Sequence, residues 1–207
     1  MTDELLIKQL YLGELANFTY VLGDKTAGEA IVIDPAAPWP EIMPALTQDK
    51  LVLKAVFLTH GHYDHVVGVE ELDVPVYLSR KESLFYTPQA RSMIRTNHGD
   101  RFSFGRFSLE CLETPGHTPG CQCFLVDGNL FTGDTLFMEA VGRTDFPGGS
   151  SKVLFESLKV IKRLPLTTEI WPGHHYGHLR NASLAEVKQM NPFLSCGDLI
   201  QFEGYLS

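Results

Sequence analysis

From Thr59 to His65 the chain reads Thr-His-Gly-His-Tyr-Asp-His, with three imidazoles and a carboxylate crowded behind the apolar run Ala55-Val56-Phe57-Leu58. The run predicts a buried β-strand of the kind found in α/β sheets, which gather their chemistry in the loops at the strands' C-terminal edge. The cluster is therefore expected in such a loop. In an extended loop His60 and His62, two positions apart, project the same way and can share one metal ion, leaving Asp64 and His65 for a second. The bland alternative is a histidine-rich surface turn that collects stray metal.

Further donors downstream favour a built site. His117 lies in Thr114-Pro115-Gly116-His117-Thr118-Pro119-Gly120, Asp134 in Phe131-Thr132-Gly133-Asp134-Thr135, and His174 in Trp171-Pro172-Gly173-His174-His175. Each alone reads as a turn or cap residue beside a glycine. Together with His60, His62, Asp64 and His65 they make a coherent donor set. A pair of divalent cations activates water at neutral pH, so no Ser or Cys nucleophile is required.

The succession HxHxDH, a His after Thr-Pro-Gly, an Asp after Thr-Gly and a His after Pro-Gly resembles the ligand pattern of the metallo-β-lactamase superfamily, over roughly Leu10 to Leu194. The resemblance implies an α/β fold, the αββα four-layer sandwich, with two sheets face to face, helices outside and metals at one edge. It implies that His60, His62 and His117 hold a first metal, that Asp64, His65 and His174 hold a second, and that Asp134 bridges them, which makes Asp64 and Asp134 the expected catalytic carboxylates. Two divalent ions per chain are expected; zinc comes first, and the same N and O donors also accept iron or manganese.

Within the superfamily, Gly142-Arg143-Thr144-Asp145-Phe146 and Asn191-Pro192-Phe193-Leu194 resemble the short hydroxyacylglutathione hydrolase, or glyoxalase II-like, proteins. The implied activity is hydrolysis of S-2-hydroxyacylglutathione or a related small thioester, whose thiolate leaves readily. The Gly-Arg-Thr-Asp-Phe segment equally resembles persulfide dioxygenases, in which a single iron on His60, His117 and Asp134 would oxidise glutathione persulfide. A third reading, a non-catalytic metal module, fits poorly, because structural zinc cages are closed and rich in Cys. Arg143 and Tyr176 match residues near the glyoxalase II substrate; the alternatives are a surface Arg paired with an acidic neighbour and a packed Tyr. Full-length glyoxalase II carries a C-terminal helical domain that supplies much of its glutathione binding, whereas only about thirty residues follow His174 here. The resemblance therefore leaves glutathione recognition open, the alternatives being broad specificity or an acyl donor that is another thioester or an ester.

Composition narrows the partners. A length of 207 residues with 44% hydrophobic content suits one domain, residues 1–207, with a sizeable core. A net charge of −8 argues against a nucleic-acid groove, which needs clustered Lys and Arg. The start Met1-Thr2-Asp3-Glu4-Leu5 lacks the basic and apolar segments of a signal peptide and no stretch is long enough to span a membrane, so a cytoplasmic protein is expected. The oligomeric state is not legible. Cys111, Cys121, Cys123 and Cys196 show no CxxC spacing and read as reduced thiols; Cys121 and Cys123 would share a strand face, as core residues or as a redox pair.

Metal-bound imidazoles need an acceptor on the second ring nitrogen. Asp34, after Ile31-Val32-Ile33, is the candidate, with a strand-to-loop cap as its alternative. His175 is expected to pack or line the pocket, and His98 and His178 to face solvent. Strands are predicted over 18–22, 30–33, 55–58, 74–78, 107–112, 123–126 and 169–171. Helices are predicted over 40–47, after His65, around 81–86, and over 151–164 with Val153, Leu154, Leu158 and Ile161 on one face. The tail from Ser183 to Leu194 reads as one short helix ending at Asn191-Pro192, with Phe193 and Leu194 anchoring it against the body.

Overall fold

The structure, a computed structural model, describes residues 4–70 and 72–206; the acidic start at Met1–Asp3 falls outside them. Two six-stranded sheets face each other. In the first, β1 (Leu6–Leu12), β2 (Asn17–Asp24), β3 (Glu29–Ile33), β4 (Val52–Phe57), β5 (Val76–Ser79) and β6 (Met93–Thr96) follow in spatial order. The second mirrors it: β7 (Arg101–Phe104), β8 (Phe107–Glu113), β9 (Gln122–Val126), β10 (Asn129–Gly133), β11 (Glu169–Pro172) and β12 (Ala182–Ser183).

The alternation of side chains along each strand explains the layers, since a period of two sends neighbours to opposite faces. Phe18, Tyr20 and Leu22 of β2, Ile31 and Ile33 of β3 and Phe57 of β4 meet Leu109, Phe124, Val126 and Phe131 of the second sheet in an inter-sheet core. Phe57 stacks on Tyr77 with ring centroids 4.6 Å apart and meets Phe124 edge-on at 5.5 Å. The intervening residues face outward. Val32, Val56 and Leu78 pack against Ile42, Ala45 and Leu46 of α1 (Trp39–Thr47), while a one-turn helix, α2 (Tyr63–Val66), sits at the sheet edge. On the opposite outer face Cys123, Leu130 and Ile170 pack under α3 (Ser151–Ile161), α4 (Leu184–Met190), α5 (Pro192–Ser195) and α6 (Leu199–Gly204). The result is the αββα sandwich.

All seven predicted runs lie on strands, but β1, β6, β7, β10 and β12 were not expected. One had a readable signal: Asp127-Gly128, both at positive φ, make the tight turn that pairs β9 with β10. The helix expected around 81–86 shrinks to a single 3₁₀ turn, Leu84–Tyr86. α3 buries Leu154, Ser157, Leu158 and Ile161, whereas Val153 is 39% exposed and off the buried face. The expected tail helix is α4, which stops at Asn191 as predicted, with Phe193 and Leu194 packed into the core beyond it. The additional helices are α5, which the Asn191 side chain caps by accepting from Phe193 N, and α6. Cys121 precedes β9, so it shares no strand face with Cys123, and all four thiols are free and buried. Burial pushes Cys123 up to about 11 and Cys111 up to about 12, so both stay protonated and inert. No helix among the described residues is long and apolar enough to cross a membrane.

Candidate metal centre

The seven donors arrive from four loops at one edge of the sandwich: His60, His62, Asp64 and His65 after β4, His117 between β8 and β9, Asp134 after β10 and His174 after β11. The first cluster is not wholly an extended loop, since Asp64 and His65 lie on α2 with His62 as its N-cap. Backbone hydrogen bonds fix the loops to one another. Gly173 N donates to Gly133 O at 2.9 Å, Phe18 N to Gly173 O at 2.8 Å, and Gln122 N to Thr59 O at 2.9 Å. Glycine is demanded by closeness at two points: a Cβ on Gly173 would lie 2.5 Å from Asp134 Oδ1, and one on Gly142 would lie 2.0 Å from Asp134 O.

Two triads of donor atoms result, joined by a third set, His60, His65 and Asp134, that overlaps both. Those of His60, His62 and His117 lie within 4.8 Å of one another, as do those of Asp64, His65 and His174. Asp134 stands between them: its Oδ2 is 3.5 Å from His117 Nε2, and its Oδ1 is 3.4 Å from His65 Nε2 and 3.3 Å from His174 Nε2. Asp64 Oδ2 lies 3.5 Å from the Nε2 atoms of both His65 and His174.

Several observations test whether cations fit here. The buried His60 Nε2 and Asp134 Oδ1 have no hydrogen-bond partner, a costly condition for polar atoms cut off from water. Burial pushes His60 well down and His62 down to about 4, which keeps both imidazoles neutral. Burial would raise Asp134, but His174 and His65 outweigh it and hold the carboxyl well below its usual range. Neutral imidazole and ionised carboxylate are the forms that bind metal. On His65 and His174 burial opposes a proton, and the Asp134 carboxylate outweighs it. Their Nε2 atoms stand 3.1 Å apart, so at most one proton lies between them, where a cation fits. The residues suit a divalent metal.

The far ring nitrogen of four of the five candidate histidines is oriented; for His60 the partner is the Thr59 hydroxyl, 3.0 Å from Nδ1. His65 Nδ1 faces Asp34 Oδ2 at 3.0 Å, so Asp34 is an acceptor behind the site; the same carboxylate accepts from Thr59 N at 2.8 Å and Thr59 Oγ1 at 2.6 Å. His117 Nδ1 donates to the Arg143 carbonyl at 2.6 Å, and His174 Nδ1 to Leu15 O at 2.8 Å. The Arg143 side chain instead pairs with Asp145 at 2.6 Å and lies over the Phe146 ring, at the rim. Tyr176 stacks flat on His174, centroids 4.7 Å apart, and also lines the cavity in front of the donors. His175 packs beside Tyr11 and Phe18, and His98 and His178 are exposed.

Two residues escaped the sequence reading. Asn17, at the start of β2, is buried and donates from Nδ2 to Asp64 Oδ2 at 2.8 Å, holding that carboxylate toward the second triad. Glu82, also buried, accepts from Gly61 N at 3.2 Å and Thr118 Oγ1 at 2.7 Å, tying the two histidine loops together. Neither sits in a motif.

Residues 12–174 match the family described as the metallo-beta-lactamase superfamily, and the chain belongs to it. Among its relatives, the probable polyketide biosynthesis zinc-dependent hydrolase PksB of Bacillus subtilis is 36% identical over 89% of this chain and 84% of its own length. The mitochondrial persulfide dioxygenase ETHE1 of Mus musculus is 34% identical over 95% of this chain and 79% of its own. A hydroxyacylglutathione hydrolase of Thermosynechococcus vestitus is 35% identical over 86% and 71%. The crystal structure of ETHE1 from Myxococcus xanthus superposes with a TM-score of 0.86 at 31% identity, covering 97% of this chain and 89% of that one. The relatives thus include both hydrolases and an oxygenase.

Proposed function

We propose that residues 1–207 form one hydrolase domain that cleaves S-2-hydroxyacylglutathione or a related small thioester with two divalent metals, zinc foremost. The observation that carries this is the pairing of two complete donor triads across a single carboxylate, with Asp134 turning one oxygen to each side. His60, His62 and His117 would hold one ion, Asp64, His65 and His174 the other, and Asp134 both. Two such ions supply a water activated at neutral pH and an electrophile for the thioester carbonyl. In the overall reaction a C–O bond to water replaces the C–S bond, giving a carboxylic acid and a thiol.

The chain's own residues contribute position. Asn17 and Asp34 fix Asp64 and His65, so the second triad is held in place before substrate arrives. Tyr176, Phe137 and Val141 wall the reacting edge. Against the dioxygenase reading, a single iron on His60, His117 and Asp134 would leave the convergent Asp64, His65 and His174 without employment.

Purified protein loaded separately with zinc, manganese and iron, assayed on S-D-lactoylglutathione with metal content measured on the same samples, tests the proposal. Turnover at about two metals per chain supports it. One retained iron, no thioester turnover and oxygen uptake on glutathione persulfide would transfer the assignment to the dioxygenase.

A further inference from the structure

The cavity in front of the donors has a volume of about 680 Å³, within the roughly 300–1,000 Å³ typical of pockets for sizeable organic ligands and far more than a three-carbon acyl group fills. Its walls are overwhelmingly apolar. Beyond the candidate ligands, it is lined by Leu15, Tyr63, Phe85, Phe137, Phe146 and Tyr176, among others. Five of these six, all but Phe137, leave much of their surface open to water; Phe85 is 80% exposed and Tyr63 is 67% exposed. Contiguous apolar surface of this kind is maintained where something apolar binds.

The charge on the walls points the same way. Glutathione carries two carboxylates, and their recognition calls for cations. Among the described residues that line the cavity Arg143 is the one Lys or Arg, and its guanidinium already pairs with both carboxylate oxygens of Asp145. Pairing a glutathione carboxylate there would break that fork.

We infer that the cavity is built for the acyl half of the substrate, and that this half is an apolar group much larger than lactoyl, an aromatic or medium-chain acyl, with Phe85 and Phe146 as its clamp. The inference rests on the thioester hydrolase reading and narrows its substrate class. The reaction is unchanged: water adds to the carbonyl, the C–S bond breaks and the thiol carries the proton away.

The test uses metal-loaded protein and thioesters of one neutral thiol, N-acetylcysteamine, with acetyl, butanoyl, hexanoyl, octanoyl and phenylacetyl groups, beside S-D-lactoylglutathione. The expected result is kcat/KM rising roughly three- to fourfold per methylene until the cavity is full, with lactoylglutathione below octanoyl. Phe85→Ser, at an exposed position that leaves the core intact, should lower the octanoyl-to-acetyl ratio. Turnover independent of chain length, or highest on lactoylglutathione, overturns the inference and leaves the hydrolase reading standing. If no thioester is cleaved the hydrolase reading falls, and calorimetric binding of the inert S-alkyl thioethers of the same thiol decides the inference by itself. Affinity that climbs with chain length and weakens in Phe85→Ser supports an apolar-ligand cavity, while equal affinities overturn it.

Discussion

The two donor triads look alike as lists of residues and differ in what stands behind them. His117 is oriented by a main-chain carbonyl, that of Arg143, and His60 Nδ1 by the Thr59 hydroxyl. In the other triad, His65 is backed by the buried carboxylate of Asp34, and Asp64 by the buried amide of Asn17. A carbonyl survives any substitution of its own side chain. A carboxylate or amide can be removed by one. The first triad leans on one removable side chain, the Thr59 hydroxyl. The second leans on two, Asp34 and Asn17, with only His174 held by a carbonyl, that of Leu15. The second is therefore the more fragile half, and that asymmetry is measurable.

Asp134→Ala should give the largest effect, because it serves both sides and erases the comparison. We expect loss of both metals and a fall in kcat/KM of about a thousandfold or more, read by metal analysis and turnover on one sample. Selective loss of one metal would show that Asp134 belongs to one triad alone. Asp34→Ala should come next and should separate the halves. It strands His65 Nδ1 and Thr59 N in the interior, at about 1–3 kcal/mol for each group left unpaired, and takes from the Thr59 hydroxyl its acceptor while leaving its contact with His60 Nδ1. Thermal unfolding should record that loss, and titration of the refilled apoprotein should show one of two sites weakened by about 10- to 100-fold. Equal weakening of both would mean the halves are coupled, through Asp134 or through the Thr59 hydroxyl that joins Asp34 to His60.

How much of this was visible in the sequence follows from where each interaction partner lies along the chain. The downstream donors His117, Asp134 and His174 could be read because each follows a glycine beside an apolar run, and for Gly173 the reason is now physical: a Cβ there would lie 2.5 Å from Asp134 Oδ1. Asp34 could be nominated because an acidic residue ending a buried strand, ahead of a proline, faces the same loop edge. Asn17 and Glu82 could not, since their partners are 47 residues away for Asn17 and 21 and 36 residues away for Glu82, and only the packed sheets bring them together. The strands that were missed are those with weak alternation or extreme brevity, such as the two-residue β12, and those entered from a tight turn whose signal was overlooked, such as β10. The helix expected around Lys81 failed because Ser83 caps only a single 3₁₀ turn before the chain extends again at Thr87.

Asn17→Ala sharpens the comparison at a smaller scale. The variant keeps every donor and deletes only the 2.8 Å hydrogen bond that aims Asp64, so about tenfold weaker metal binding at the second site is expected with folding retained. Asn17→Asp is the more telling variant, because it places a second carboxylate against Asp64 where the amide donated. It should weaken that site more than alanine does. If alanine and aspartate behave alike, the amide is a packing residue and the fragile half owes its order to Asp34 alone.

Arg143→Ala should have the smallest effect, and it tests the less fragile half directly. Its carbonyl, 2.6 Å from His117 Nδ1, is retained, and its guanidinium is committed to the exposed carboxylate of Asp145 rather than to a donor. Exposed pairs of that kind contribute at most about 1 kcal/mol, so neither stability nor metal content should move appreciably. Turnover on an uncharged thioester should stay within about threefold of the parent, the span set by half a pKa-unit's worth of free energy. A large loss confined to glutathione thioesters would instead make the guanidinium a carboxylate contact, which requires Asp145 to release it. Comparing the charged and neutral substrates in this one variant therefore separates two roles of a single residue, the backbone that orients His117 and the side chain at the rim of the cavity.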